Sequence, residues 1–492
     1  MKFYFHNIVS LTQRLLPIVS IIQLSLCLFF YGYRLADELL TNILIFWLLL
    51  ITYAYKLKQN GAILLGFLSS FFVFILGREF ILNLLGFDFD IISSVSIETK
   101  CLSYVIIFSS LFCIYWGHRL SNIKVKNIRF KETSETLYLL KKRTKIYFYY
   151  TLPFKVLKIF FGVYNTMKYG YVMEGDGNTL SSNVIIDKLS QINLIVFCGY
   201  LMLAPSKKEL LPVLKIAIIV YVFSIFEGTR GYLMYFLLFI LVYLYSRDNF
   251  LKASKCTIAN SAFFLTSRVK KYVVILSIPL LIFLNLFAFI RSKNDVVSRG
   301  LVYDLVGFFV QQGFSYGLIP NVIDNKEHLP KGNTSYTFGP VINMIKYSTV
   351  CQVIGIGEKE PTFEEIPLKG NNLGATITWL SEPNYYMKGG GYGTQYIAEL
   401  YADFGLIGVI VGSLFLGVVI SKMTFFYYRN WIVRSMLCSV IVTVLSMPRD
   451  FFLSWFVALI SIPNILVLWL IYQNALSRSK GINVSSEIVY AK

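Results

Sequence analysis

Apolar runs long enough to cross a bilayer recur from end to end of this 492-residue chain, and nothing else in the sequence restricts its fold as strongly. A spanning helix needs about 17–25 predominantly apolar residues, and backbone immersed in lipid must satisfy its own hydrogen bonds. Runs of that kind fall near residues 15–33, 39–55, 61–82, 101–117, 147–166, 189–205, 210–227, 231–246, 272–290, 396–420, 431–447 and 452–473. The pattern predicts an all-α, polytopic integral membrane protein with about twelve transmembrane helices. The first run, Leu15 to Tyr33, exceeds a signal-peptide core and lacks a small-residue cleavage site, so it is expected to remain as a span. The fifth is the least regular, because it holds Lys155 and Lys158, and the hairpin at 227–231 is tight.

A net charge of +19 raises nucleic acid as a partner, but its distribution argues against one. The basic residues gather in loops between apolar runs, chiefly Arg119 to Lys145 and Arg247 to Lys271, as cytoplasmic retention requires. Alternation of these loops with lysine-poor ones places both termini in the cytoplasm. Three parts follow: residues 1–290 as an N-terminal bundle of about nine spans, 291–395 as one large extracytoplasmic loop, and 396–492 as about three spans with a cytoplasmic tail. Two apolar stretches inside the loop are too interrupted to span. Leu301 to Ile319 contains Asp304, Gln311, Gln312 and Gly313, and Phe338 to Ile356 contains Pro340 and Lys346. Short helices lying at the interface or roofing a cavity fit both. The seven cysteines form no framework, and no metal-ligand spacing, nucleotide-binding loop or dinucleotide fingerprint occurs. No cofactor or metal is expected.

Against the retention rule, arginines stand at the expected extracytoplasmic ends of the runs: Arg78 beside Glu79, Arg230 in Gly228-Thr229-Arg230-Gly231, Arg291 after Ile290, and Arg449 beside Asp450. Charges at such positions are costly and are functional candidates, and the planar guanidinium fork suits phosphate oxygens. Arg78 and Arg449 have an adjacent acid with which simple pairing is the plainer reading. Arg230 and Arg291 have none, although Glu227 lies one turn before Arg230. Glu399 and Asp403 are four apart at the start of the tenth run, on one helical face, which offers either a general base or structural partners for arginine. Gly408 and Gly412 read as close helix packing. Asp88 and Asp90 form an acidic pair better explained as a solvated loop, and His328 is the only histidine expected outside. Trp379, Tyr385, Tyr392 and Tyr396 offer flat faces to sugar rings, or anchors to the interface.

Three stretches together resemble oligosaccharide repeat-unit polymerases of the Wzy type, which build O-antigen and capsular polysaccharide. They are Gly228-Thr229-Arg230-Gly231 leading a helix, the glycine-rich run from Gly389 through Tyr396 and Glu399 to Gly405, and Pro448-Arg449-Asp450-Phe451-Phe452 opening the last span. An Arg-x10-Gly pattern found in some members is absent, since Leu241, Val302 and Val310 stand eleven residues after Arg230, Arg291 and Arg299. The resemblance implies a GT-C-class glycosyltransferase of the bacterial inner membrane. Its substrate would be polyprenyl (undecaprenyl) pyrophosphate-linked oligosaccharide, joined outside the cytoplasm without metal or nucleotide sugar. The reading of the residues converges with it, giving Glu399 or Asp403 as the catalytic base, Arg230, Arg291, Arg449 and Arg78 as pyrophosphate ligands, and Trp379, Tyr385, Tyr392 and Tyr396 as glycan contacts. Membrane lipids, a chain-length regulator and a flippase would be its partners, and nucleic acid would not. A ligase sharing the donor, or a transporter of such precursors, would fit the same resemblance less closely.

Overall fold

The computed structural model describes residues 2–87, 95–122, 132–169, 184–227, 230–253, 263–292, 300–330, 335–387 and 389–481. Every described secondary-structure element is helical. Ten helices among the described residues are long and apolar enough to cross a membrane. The two further expected spans are helical as well, at Val184–Met202 and Ser267–Ser292. The second of these begins with Arg268, Lys270 and Lys271 in its first turns. Between residues 300 and 387 the helices are short, from Leu301–Gln312 to Pro383–Met387. The longest, at 12 residues, rises about 18 Å and is too short to span.

The chain forms two compact units interleaved in sequence. One comprises Met1–Ile123, Ile278–Lys422 and Thr443–Val457, and the other Lys124–Ser277, Met423–Val442 and Ala458–Lys492.

In the first unit the main packing is between the helices Ile97–Leu120 and Tyr396–Lys422. They meet where both lack side chains: a Cβ on Gly117 would strike the Leu414 carbonyl, and one on Gly417 the Ile114 carbonyl. Close backbone approach through small residues is the usual route to helix association in lipid. The polar groups buried at this crossing satisfy one another, with Ser110 Oγ 2.8 Å from both the Tyr396 hydroxyl and Ser413 Oγ.

The Tyr396–Lys422 helix is not straight. At Gly405 the backbone takes φ +63° and ψ −154°, a left-handed conformation that glycine tolerates. In a continuous helix residues 400 and 412 would lie about 18 Å apart. Here the Leu400 side chain is so close to Gly412 that a Cβ there would come within 2.5 Å of it, and a Cβ on Gly408 would come within 2.5 Å of the Leu400 carbonyl. Residues 396–404 are therefore a short arm folded back on the span that follows. Gly408 and Gly412 make room for that arm, and the approach between separate helices falls to Gly117 and Gly417.

In the second unit the long helix Ser134–Tyr169 packs along Val184–Met202. Lys155 and Lys158, which interrupt its apolar run, are accommodated individually. Lys158 Nζ pairs with Asp187 at 3.1 Å, and Lys155 Nζ lies 5.2 Å from the Tyr221 ring centroid. Asn193 Nδ2 donates to Thr151 Oγ1 at 2.9 Å, and Trp431 Nε1 to the Gly199 carbonyl at 2.9 Å. Buried Arg247 donates to the Pro205 carbonyl at 2.9 Å, while Asp248 accepts from Leu265 N at 2.7 Å, pinning the segment ahead of Ser267–Ser292.

Candidate anion and acid–base site

Arg78 and Glu79 sit between two π-helical turns, Phe72–Leu76 and Phe80–Leu84. Such widened turns recur at functional sites. The two side chains do not pair. Glu79 Oε2 accepts from the Tyr104 hydroxyl at 2.7 Å and from Asn83 Nδ2 at 2.9 Å, and Lys100 Nζ in turn donates to Asn83 Oδ1 at 2.7 Å. The Arg78 guanidinium lies over Phe314, 5.2 Å from the ring centroid, in a side chain only 8% exposed. Among the described residues no carboxylate pairs with it.

Arg449 behaves alike. The adjacent Asp450 turns away, accepting from Ser446 Oγ and from Phe451 N at 2.8 Å each. Burial pushes the Asp450 carboxyl above the usual carboxylate range, against the pull of those two bonds. Arg449 Nη1 donates instead to Gln312 Oε1 at 2.8 Å, and its guanidinium lies 5.9 Å from the Phe74 centroid. The Arg449 Nε also lies beside Gly393, a position with φ +76°.

One short stretch joins the two arginines. Gln312 ends the helix Leu301–Gln312, Gly313 opens a 3-10 turn, and Phe314 follows. Gly313 passes so close to Arg78 that a Cβ there would come within 2.5 Å of the Arg78 Cβ. Gln312 thus reaches Arg449 while Phe314 lies beneath Arg78. The expected pairing of these arginines with their sequence neighbours is replaced by a shared cradle whose cationic heads lack carboxylate partners among the described residues.

The two carboxylates of the folded-back arm have different surroundings. Glu399 is fully buried; its Oε1 accepts from Thr394 Oγ1 at 2.6 Å and its Oε2 from Phe452 N at 2.9 Å. It ties the arm to the loop that carries Arg449. Asp403 is half-buried and faces the segment after residue 334. Its Oδ2 accepts from Ser335 Oγ at 2.5 Å and Thr337 N at 2.7 Å, and its Oδ1 from Tyr336 N at 3.2 Å.

Beside the arginines runs a row of aromatic rings. Tyr392 stacks on the Phe314 ring at 5.3 Å and donates its hydroxyl to Glu382 Oε1 at 2.6 Å. The glycine-rich run is held down by Tyr392 N donating to Thr378 Oγ1 at 3.0 Å and by contact of Gly374 with the Gly393 carbonyl. Trp379 meets Tyr386 edge-on at 5.9 Å, and Tyr385, 42% exposed, covers Gly390. Tyr396 differs from the other three aromatics. It has no exposed surface, and its hydroxyl is engaged by Ser110.

Residues 15–480 match the family O-antigen polysaccharide polymerase Wzy. The chain belongs to that family. No curated protein and no solved structure matches it. Family membership and the apolar helices make it an integral membrane protein with an O-antigen polymerase role.

Arg230 belongs to the second unit, in the turn before the helix Gly231–Ala253, with its carbonyl accepting from Met234 N at 3.3 Å. Arg291 ends the helix Ser267–Ser292, and its side chain, like the pair Asp88 and Asp90, lies outside the described residues. His328 is exposed on the 3-10 turn Lys326–His328. Among the described residues no group of His, Cys, Asp and Glu is placed to hold a metal ion. Sequence reasoning missed Gln312, Phe314 and Glu382. A glutamine inside an apolar stretch was the available signal at 312, and it reads more simply as the reason that stretch cannot span.

Proposed function

We propose that this polymerase joins lipid-pyrophosphate-linked oligosaccharide repeat units on the extracytoplasmic face of the bacterial inner membrane, through a GT-C-like mechanism. The single observation carrying the proposal is the cradle that sets Arg78 and Arg449 against one stretch, Gln312 to Phe314, with neither guanidinium in an ion pair among the described residues. A desolvated cation is costly unless an anion meets it, and two guanidinium groups suit a pyrophosphate. In the reaction, an acceptor hydroxyl oxygen bonds to the anomeric carbon of the donor glycan. The bond from that carbon to the phosphate oxygen breaks, and the electron pair leaves with the lipid pyrophosphate. Charge grows on the leaving group as the bond breaks, so fixed cations there stabilise the transition state more than the ground state.

The acceptor proton goes to Asp403, whose Oδ1 holds one long hydrogen bond and keeps acceptor capacity. Glu399, unlike half-buried Asp403, has no exposed surface, and it acts by positioning Arg449, three residues before its partner Phe452. Phe314 and Tyr392, with Trp379 and exposed Tyr385, offer the glycan its apolar faces. Purified protein in lipid, given only undecaprenyl-pyrophosphate-linked repeat units, is expected to form a ladder of polymer and release undecaprenyl pyrophosphate. Transfer of intact glycan to a different lipid, with no ladder, would identify a ligase instead.

A further inference from the structure

We infer that Gln312 is itself a ligand of the pyrophosphate group, donating its side-chain N–H between the two arginines while its carbonyl holds Arg449 in place. This rests on the reading of Arg78 and Arg449 as an anion site, and adds to it a neutral donor that the sequence does not reveal.

The orientation of the amide follows from hydrogen-bond chemistry. A guanidinium only donates, so the atom of Gln312 facing Arg449 Nη1 at 2.8 Å is the carbonyl oxygen. The amide nitrogen is then directed away from that bond. Gln312 is 4% exposed, and its side-chain hydrogen bond among the described residues is the one Oε1 accepts from Arg449. An amide N–H in so enclosed a place needs an acceptor. Among the described residues neither Arg78 nor Arg449 forms an ion pair, so the acceptor that suits the site is an anion. Glycine at 313 fixes the geometry, because the main chain after Gln312 runs against Arg78 and leaves no room for a side chain. Arg449, the Gln312 amide and Arg78 thus offer donors along one short stretch of chain. A pyrophosphate, with oxygens on two phosphorus atoms, has enough acceptors for all three.

A double-mutant cycle with Arg449 separates a ligand from a mere brace. Gln312→Glu keeps the shape, removes the N–H donor and neutralises the Arg449 cation, so it should weaken an anion site in either case. Gln312→Met adds no charge and is therefore compared with and without Arg449→Ala. A brace has nothing left to hold once Arg449 is gone, whereas a ligand still contributes to binding. The experiment measures binding of inorganic pyrophosphate and of farnesyl pyrophosphate to the full-length protein in detergent, alongside thermal stability. Gln312→Glu is expected to weaken both ligands by about 10–100-fold, the scale of losing a hydrogen bond to a charged group, with unfolding temperature unchanged or raised. Gln312→Met, which has similar volume but neither acceptor nor donor, is expected to weaken binding about tenfold or more, both alone and in the Arg449→Ala background. Arg449→Ala is the control for the underlying reading. If Arg449→Ala weakens pyrophosphate binding and adding Gln312→Met to it weakens binding no further, Gln312 is only a brace and the inference is wrong. If wild type does not bind pyrophosphate, or Arg449→Ala leaves binding unchanged, the anion-site reading itself fails.

Discussion

Replacing Glu399 distinguishes a residue that positions from one that accepts the proton. Its carboxylate is fully buried, with one oxygen on Thr394 Oγ1 at 2.6 Å and the other on Phe452 N at 2.9 Å. A hydrogen bond is worth about 0.5–1.5 kcal/mol net and a stranded buried donor costs about 1–3 kcal/mol, so Glu399→Ala, which removes both bonds and strands the Phe452 amide, should destabilise by roughly 2–4 kcal/mol. Glutamine can keep both contacts. Its carbonyl accepts from Phe452 N, and its amide donates to Thr394 Oγ1, because a hydroxyl can turn from donor to acceptor. The loop bearing Arg449 then stays where it is, and turnover by Glu399→Gln should remain within about tenfold of wild type. A lost general base would instead lower the rate by about 10²–10⁴-fold. The assay is initial rate of polymer formation from lipid-linked repeat units, at matched folded protein confirmed by size-exclusion chromatography. A hundredfold loss in well-folded Glu399→Gln would refute the positioning role and move the proton to Glu399.

Three further expectations concern fold, pH and orientation. Gly417→Ala forces a methyl group against the Ile114 carbonyl and should cost about 1–3 kcal/mol in thermal unfolding. Gly32→Ala, with open space around it, should not; equal effects would contradict the close crossing. Burial raises the Asp450 carboxyl pKa above its unfolded value, so its penalty is absent in acid and grows as pH rises through the raised value. Asp450→Asn should therefore gain stability relative to wild type at neutral pH but not below the ordinary carboxylate range, and a gain independent of pH would count against this. Cysteine at exposed Glu358 should react with a membrane-impermeant thiol reagent in intact cells and cysteine at Lys252 should not, the reverse pattern overturning the proposed sidedness.

What the sequence made legible was one-dimensional. Apolar runs located the helices because burial in lipid acts on contiguous residues, and even the irregular fifth run is a helix, with Lys158 paired to Asp187. The four-residue spacing of Glu399 and Asp403 placed both on one short helical arm. Their partners were not legible, since Phe452 lies 53 residues from Glu399 and Ser335 lies 68 from Asp403. Gly405 looks like any glycine within an apolar helix, and only its positive φ reveals the fold-back. The same holds for the arginines. Sequence neighbours suggested Glu79 for Arg78 and Asp450 for Arg449, but tertiary packing gave Glu79 to Tyr104, and Asp450 turns back to Ser446 one helical turn before it. Tyr396 had the composition of a sugar-binding aromatic and became core, because the arm turned it toward Ser110.

The central claim is that Arg78 and Arg449 stabilise the departing pyrophosphate, and the most direct measurement is single-turnover polymer formation by purified Arg→Ala and Arg→Lys variants at both positions. Removing a fixed donor to a developing oxyanion typically costs roughly 3–4 kcal/mol, or about 10²–10³ in rate. Each alanine variant should lose that much, and lysine, which keeps the charge but not the two-pronged bond, should recover only part of it. Alanine at both positions that leaves the rate of folded protein unchanged would contradict the account.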